Sequence, residues 1–471
     1  MASSAVSVPL PTTDSPVLAP TPTAREELGA LVRLAVPISF AQLVLMTTTL
    51  VEVAVVGHQG VADLAGVSLG RSVGFSSMTV TMGVGLALEP LASQAIGARE
   101  PARAFDALKA TLRAVFLVWA ISALVASAMV FALGPLGVDP LALPHARAFV
   151  FFQLPGLLFY NMFLAAKTFL QAHGKTRPIV IAAVVANVMN FFVCNLLVRG
   201  DRALLAVGLP ALGLPGFGAA GAGVAFSLSV GTLAGITLFA CWRLRPPATT
   251  REPSEKPVTV TRVLRLGVPI GLQIFTEAGV FALVALLAGK LGASVLSAHQ
   301  VALSMAATTY MAAVGISGAT AVRVGRAVGE KRSPQQAGWL GIGLGGGWML
   351  FCAAIFALFP RVLVGIFTTD PVVIELGVSL LRIAAVFQLF DGLQTVTLGA
   401  LRGVGDVRLP FVFAVIAYWV IALPLSLVLG FVLHLGAVGF WWGLTLGLVV
   451  AALLLTLRFR VVVRRPVARV E

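Results

Sequence analysis

The sequence predicts an all-α polytopic membrane protein, twelve transmembrane helices in two pseudo-symmetric six-helix bundles, and three observations carry that reading. Hydrophobic residues make up 58% of the 471-residue chain and charged residues 11%, a balance that suits neither a soluble domain nor a disordered chain. Mean hydropathy is +0.98, and the apolar residues gather into twelve runs, each near the ~20 residues a helix needs to cross ~30 Å of hydrocarbon. The second half of the chain also repeats the first.

Residues 1–24 are rich in Ser, Thr and Pro and lack a basic segment followed by an apolar core. They read as a disordered cytoplasmic tail, not a cleaved signal peptide. The N-terminal six-helix bundle follows over 25–242, with runs at 29–57, 63–92, 110–134, 147–171, 178–198 and 217–242. A Gly/Pro-rich stretch from Gly208 to Gly218 separates the last two. Residues 243–262 hold Pro246, Pro247, Pro253 and Pro257 and have the composition of a cytoplasmic linker. The C-terminal bundle, 263–458, holds runs at 264–289, 293–322, 337–367, 376–401, 409–433 and 436–457, and a basic cytoplasmic tail closes the chain at 459–471. The glycines from Gly341 to Gly347 suit close helix packing.

The repeat is specific. Leu31-Val-Arg-Leu-Ala-Val-Pro-Ile38 matches Val263-Leu-Arg-Leu-Gly-Val-Pro-Ile270 at an offset of 232, which also superposes Gly57 on Gly289, Gly83 on Gly315 and Gly97 on Gly329. Gly174 and Arg177 match Gly405 and Arg408 at offset 231, and Gly218 and Gly221 match Gly436 and Gly439 at offset 218. Six spans per repeat is an even number, so both halves share one orientation, related by an axis along the membrane normal, with substrate expected between them near the midplane.

Charge sets the topology. With a cytoplasmic N-terminus, all of the 33 Lys and Arg fall on inner segments except Arg71, Arg147, Arg199, Arg202, Lys290, Arg361 and Arg382; Lys167, Arg323 and Arg402 count among the inner ones. That asymmetry places both termini in the cytoplasm of a plasma (inner) membrane protein. The net charge of +14 is spread over short segments between apolar runs, which argues against nucleic acid. Cys194, Cys241 and Cys352 lie in apolar runs without the spacing of a metal site and read as packing residues.

Function is carried by acids in apolar surroundings. The chain has 19 acidic residues, and Glu277, Asp391 and Glu52 lie inside apolar runs, where a carboxylate costs several kcal/mol unless protonated, paired or bound to a cation. Gln273 is one turn before Glu277, and Gln388 and Gln394 flank Asp391 on the same helix face. Neither acid is repeated: position 277 maps to Leu45 and position 391 to Tyr160. Glu89 beside Pro90, Asn187, Asn190 and Tyr310 are supporting polar residues; the plainer roles are satisfying freed backbone donors or pairing with a loop arginine for Glu89, and helix packing for the two asparagines. An enzyme is not expected: no catalytic residues, nucleophile elbow or paired His ligands are present, and Gly174-Lys-Thr176 lacks the glycine a phosphate loop needs, having Phe169 there. No cofactor is expected beyond a coupling ion.

These residues carry a resemblance. Val51-Glu-Val-Ala-Val-Val-Gly57, Pro269-Ile-Gly-Leu-Gln-Ile-Phe-Thr-Glu277, Ala298-His-Gln-Val-Ala-Leu303 and Phe387-Gln-Leu-Phe-Asp-Gly-Leu-Gln394, leading to Gly399-Ala-Leu-Arg-Gly403, resemble the MATE family of multidrug and toxic compound extrusion transporters, closest to its NorM branch. The resemblance implies two six-helix bundles facing each other in a V, and export of organic cations and other xenobiotics in exchange for Na+ or H+. It implies cation coupling and substrate binding at Glu277 and Asp391, with Na+ held there if sodium is the coupling ion. Glu52 stands where this branch usually has Asp, and Cys194 where a polar residue is expected after Asn190. A monomer in the lipid bilayer, working by alternating access, is expected. Two rivals remain: a lipid-linked-oligosaccharide flippase, for which more basic residues in the cavity are expected, and a passive cation channel.

Overall fold

The computed structural model describes residues 22–135, 137–206, 208–247 and 257–470. Most of the expected N-terminal tail and the middle of the expected linker lie outside the described residues. Twelve long helical segments make up the described fold, and no strand occurs among these residues. The N-terminal half contains α1 (Ala24–Gly57), α2 (Val61–Leu86) extended by the short α3 (Leu88–Gly97), α4 (Pro101–Ala132), α5 (Leu143–Ala172) and α6 (Arg177–Arg199), then a single turn, α7 (Asp201–Ala206), and α8 (Gly218–Arg243). The C-terminal half contains α9 (Val260–Lys290), α10 (Ala293–Gly329), α11 (Gln335–Leu358) with the short α12 (Pro360–Gly365), and α13 (Pro371–Val404). It ends with one continuous segment, Arg408–Val432, and α16 (Gly436–Val462). That segment comprises α14 (Arg408–Ala414), a wide π-helical stretch (Val415–Ala422), α15 (Leu423–Leu427) and a second π stretch (Val428–Val432).

Eleven of the twelve are long and apolar enough to cross a membrane. The exception, α2, has the length but carries Asp63, Arg71 and a series of Gly, Ser and Thr residues. Helices run past the apolar stretches where a cap holds them. The Thr23 hydroxyl accepts from Glu26 N–H while the Glu26 carboxylate accepts from Thr23 N–H, and the Asp370 carboxylate caps α13.

The repeat seen in sequence is a repeat of backbone conformation. Left-handed residues recur at equivalent turns: Arg99 (φ 63°) and Lys331 (φ 57°), Gly174 (φ 71°) and Gly405 (φ 85°), Gly218 (φ 50°) and Gly436 (φ 58°). The C-terminal half has an apolar core of its own, the main core of the N-terminal half extends to Val263, Leu266 and Ile270 of α9, and a third cluster joins Leu31, Ala35 and Ile38 of α1 to Ala319 and Val322 of α10 and Leu401 of α13.

The halves touch through symmetry-related small residues near the end that bears the chain termini. A Cβ on Gly83 of α2 would lie 2.0 Å from the Gly271 nitrogen of α9, and one on the equivalent Gly315 of α10 would lie 2.2 Å from the Ser39 hydroxyl oxygen of α1. Closer to the termini, Gly97 packs on the Arg326 carbonyl and its equivalent Gly329 on the Gln94 carbonyl. Only glycine permits such approaches. The basic tail is not free: Arg469 pairs with Glu100 and Val470 N–H donates to Gln94 Oε1 at 2.7 Å, both in the other half.

Candidate functional site: a cavity between the halves

A cavity of about 410 Å³ lies between the halves. Its two main walls are equivalent stripes, Tyr160, Leu164, Lys167 and Gln171 of α5 and Asp391, Thr395, Leu398 and Arg402 of α13, which correspond pairwise at offset 231. Residues spaced by three and four share one helix face, so each stripe presents four side chains to the same space. The chemistry differs between them.

On α9, Gln273, Glu277 and Phe281 add a third strip to the lining. The Glu277 carboxylate accepts from the Tyr418 hydroxyl at 2.9 Å, from Gln394 Nε2 at 3.2 Å and from Gln273 Nε2 at 3.2 Å. Tyr418 is fully buried, lies in the first π stretch and also accepts from Gln394 Nε2 at 2.8 Å. A π turn shifts the phase of the helix, and here it falls where Tyr418 reaches Glu277. Asp391 is 7% exposed, lines the same cavity and has no hydrogen bond among the described residues. The Phe281 ring stands edge-on to Phe387 at 6.0 Å and 6.2 Å from Tyr418. One held carboxylate, one unpaired carboxylate and aromatic walls favour a lipophilic cation. No group of three His, Cys, Asp or Glu side chains among the described residues is placed for a metal, so a small cation here would rely on two carboxylates and neutral oxygens.

The other sequence-selected residues lie elsewhere or have different partners. Glu52, 2% exposed, is paired with Arg71 of α2 at 2.7 Å, with Asn190 Nδ2 at 3.5 Å; neither Glu52 nor Asn190 lines the cavity. Asn187 donates to the Val44 carbonyl and to Thr47 on α1. Gln388 accepts from Thr309 behind the wall, whereas Tyr310 lines the cavity. Glu89 lies at the cavity's edge and accepts from Arg402 Nε at 2.7 Å, a bond between the halves made by a helix residue, not a loop arginine.

Several basic residues also depart from the sequence reading. Lys167 and Arg402, expected on inner loops, lie within α5 and α13 and line the cavity; Arg71, expected outside, is the partner of Glu52. Arg71 and Lys167 lie inside the expected runs 63–92 and 147–171 and Arg402 one residue past 376–401, and each helix continues through a charge that finds a partner or a polar cavity. The cavity is therefore not purely acidic, as the central spans had indicated: its charged lining is Glu89, Glu277, Asp391, Lys167 and Arg402. Tyr418 was missed as well, although a signal existed. The chain has three tyrosines; Tyr160 and Tyr310 line this cavity and Tyr418 bonds to its buried acid.

Comparison with known proteins agrees with this geometry. The MatE family model matches residues 37–196 and 269–428, two stretches displaced by the same 232 residues as the internal repeat. A probable multidrug resistance protein NorM of Pseudomonas putida is 34% identical over 92% of this chain and 94% of its own length. A protein of the same name from Deinococcus radiodurans is 34% identical over 94% of this chain and 97% of its own. The crystal structure of the eukaryotic MATE transporter AtDTX14 superposes with a TM-score of 0.82 at 22% identity, covering 95% of this chain and 100% of that one.

Proposed function

This chain belongs to the MatE family of transporters, and from that premise we propose that it exports lipophilic organic cations by alternating access, in exchange for Na+ or H+. It is a multi-pass membrane transporter and not an enzyme. The observation that carries the reading is the presentation of Asp391, unpaired, beside hydrogen-bonded Glu277 in an aromatic-walled cavity between the halves. Ionised, the two carboxylates hold a cationic drug. Protons or sodium ions arriving from outside neutralise them, weaken drug binding and favour the inward-facing return of the ion-loaded site. The shared occupancy of one pair of acids by drug and coupling ion makes the exchange obligatory. Exchange of one monovalent cation for another draws nothing from the membrane potential, whereas each additional charge moved gains ~2.3 kcal/mol per 100 mV. The protein acts as a monomer in the plasma membrane with both termini in the cytoplasm.

The test is ethidium efflux from vesicles containing purified protein, with wild type, Glu277→Gln and Asp391→Asn compared under an imposed sodium gradient and, separately, a pH gradient. Uphill efflux driven by one gradient and lost in both variants identifies the antiporter and its ion. Dye movement only down its own gradient would instead indicate a passive channel, and variants that pump like wild type would refute the role of the carboxylates.

A further inference from the structure

Lys167 and Gln171 are adjacent turns of α5, both buried and both lining the cavity. Lys167 is 7% exposed, and its ammonium lies 6.0 Å from the centroid of the Phe163 ring with no ion-pair or hydrogen-bond partner among the described residues. The nearby Glu89 carboxylate is engaged by Arg402 Nε, and Arg402 Nη2 donates to the Ser317 hydroxyl at 3.3 Å. Gln171 is 1% exposed, and its Nε2 has no acceptor. Two adjacent buried donors without acceptors are costly for a protein to keep. Both open onto space that a ligand can enter.

We propose that Lys167 and Gln171 form an anion subsite that takes the carboxylate of an amphoteric aromatic substrate whose protonated amine is held at Glu277 and Asp391. This deepens the exporter reading above and rests on it. The cavity's charge balance selects the ligand class. Three acids and two bases line it, and one of the bases is already paired, so there is room for one anionic charge beside a cationic one and not for a diphosphate. The pseudo-symmetric stripes account for the separation: Lys167 and Gln171 come from α5, where the equivalent α13 positions are Leu398 and Arg402, and Asp391 comes from α13, where the equivalent α5 position is Tyr160. Each half therefore contributes one pole of the site.

The experiment compares binding of a rhodamine bearing a free carboxylate with binding of the methyl ester of the same dye, using full-length protein in detergent, with ethidium efflux from vesicles as a separate arm. Wild type is expected to bind the free-carboxylate dye about tenfold more tightly than the ester, the scale of one charge-assisted hydrogen bond. In Lys167→Met and Gln171→Leu the preference should fall to about twofold or less, and Lys167→Arg should restore it. No preference in wild type, or a preference that survives both substitutions, overturns the subsite. Displacement of the dye by a polyprenyl diphosphate at lower concentration than by the unlabelled carboxylate also overturns it. If Lys167→Met does not fold, the wild-type dye pair and Gln171→Leu still decide. Failure of ethidium efflux in wild type counts against the exporter reading and not against the subsite, so the two failures are distinguishable.

Discussion

Gln94 and Arg326 occupy equivalent positions in the two halves, and each donates across the interface to the equivalent carbonyl of the other half: Gln94 Nε2 to Gly403 O at 2.9 Å, and Arg326 Nε to Ala172 O at 3.0 Å. The pair forms a two-fold latch at the terminus-bearing end. Such hydrogen bonds contribute about 1 kcal/mol when neutral and about 1.5–3 kcal/mol when charged. Removing both in Gln94→Ala/Arg326→Ala should shift the balance toward states open at this end by about two to three orders of magnitude. Spin labels on the exposed Lys175 and Arg408, one in each half, would read this as a longer distance population. An unchanged distribution would remove the latch from the mechanism.

Steric blockade should have the same direction with larger effect. A side chain at Gly83 meets the Gly271 backbone, which has no rotamer with which to yield. Gly83→Val is expected to prevent the closed approach and to lower efflux at least about tenfold, while protein still inserts and purifies. Gly343, with nothing within 4 Å of an added Cβ, is the control: Gly343→Ala should leave efflux intact and stabilise the helix by up to about 1 kcal/mol. Equal efflux from Gly83→Val and wild type would show that this contact does not form in the cycle.

Glycine register and apolar runs were legible in the sequence because both are local or periodic, so the twelve spans and the two-half repeat could be read directly. Glu277 and Asp391 were legible for a related reason: an acid in an apolar run stands out against its neighbours. What could not be read was pairing between distant helices. Arg402 lies 313 positions from Glu89, and Arg323, also placed on an inner segment by composition, bonds Glu27 of α1 at 2.6 Å. Both had the look of membrane-edge charges. Glu52 had the same local signature as Glu277, yet its arginine lies on the neighbouring helix, and no periodicity within α1 reveals it.

Tyr418 offers a graded test of the acid site. Its hydroxyl donates to Glu277 and accepts from Gln394, so Tyr418→Phe leaves the carboxylate with two amide donors in place of three groups. Loss of a hydrogen bond to a charged group is about 1.5–3 kcal/mol, and affinity for the coupling cation or the drug should change by about ten- to hundredfold, with the maximal efflux rate less affected. Titrating ethidium binding against coupling-ion concentration in Tyr418→Phe separates the two. Wild-type curves would mean that the hydroxyl is structural only.

The Glu52–Arg71 pair should prove a stability element. Arg71→Ala leaves Glu52 buried without its counter-charge, a change that typically costs about 3–5 kcal/mol, and the double variant Glu52→Gln/Arg71→Ala should recover most of it because no charge is stranded. Thermal unfolding in detergent measures the difference. If Arg71→Ala is as stable as wild type but loses ion-driven efflux, Glu52 belongs with the coupling carboxylates after all.

Tail docking gives a pH prediction with a definite sign. Glu100 is held below the ordinary carboxylate range mainly by the hydrogen bond from Arg469, while partial burial opposes the shift and the Arg469 and Arg103 charges add to it. A folded-state value lower than the free value means that docking is stabilised above the ordinary carboxylate pKa of about 4.3 and that this stabilisation is lost as pH falls through the lower, docked value. The tail should therefore stay docked from about pH 8 to about pH 5 and release below about pH 4. A fluorophore at the exposed Ala468 should show high anisotropy through the neutral range and a fall only in acid. Glu100→Gln should lower the anisotropy at neutral pH and abolish the acid transition. Release already complete at neutral pH in wild type would mean that the Glu100–Arg469 pair does not hold the tail.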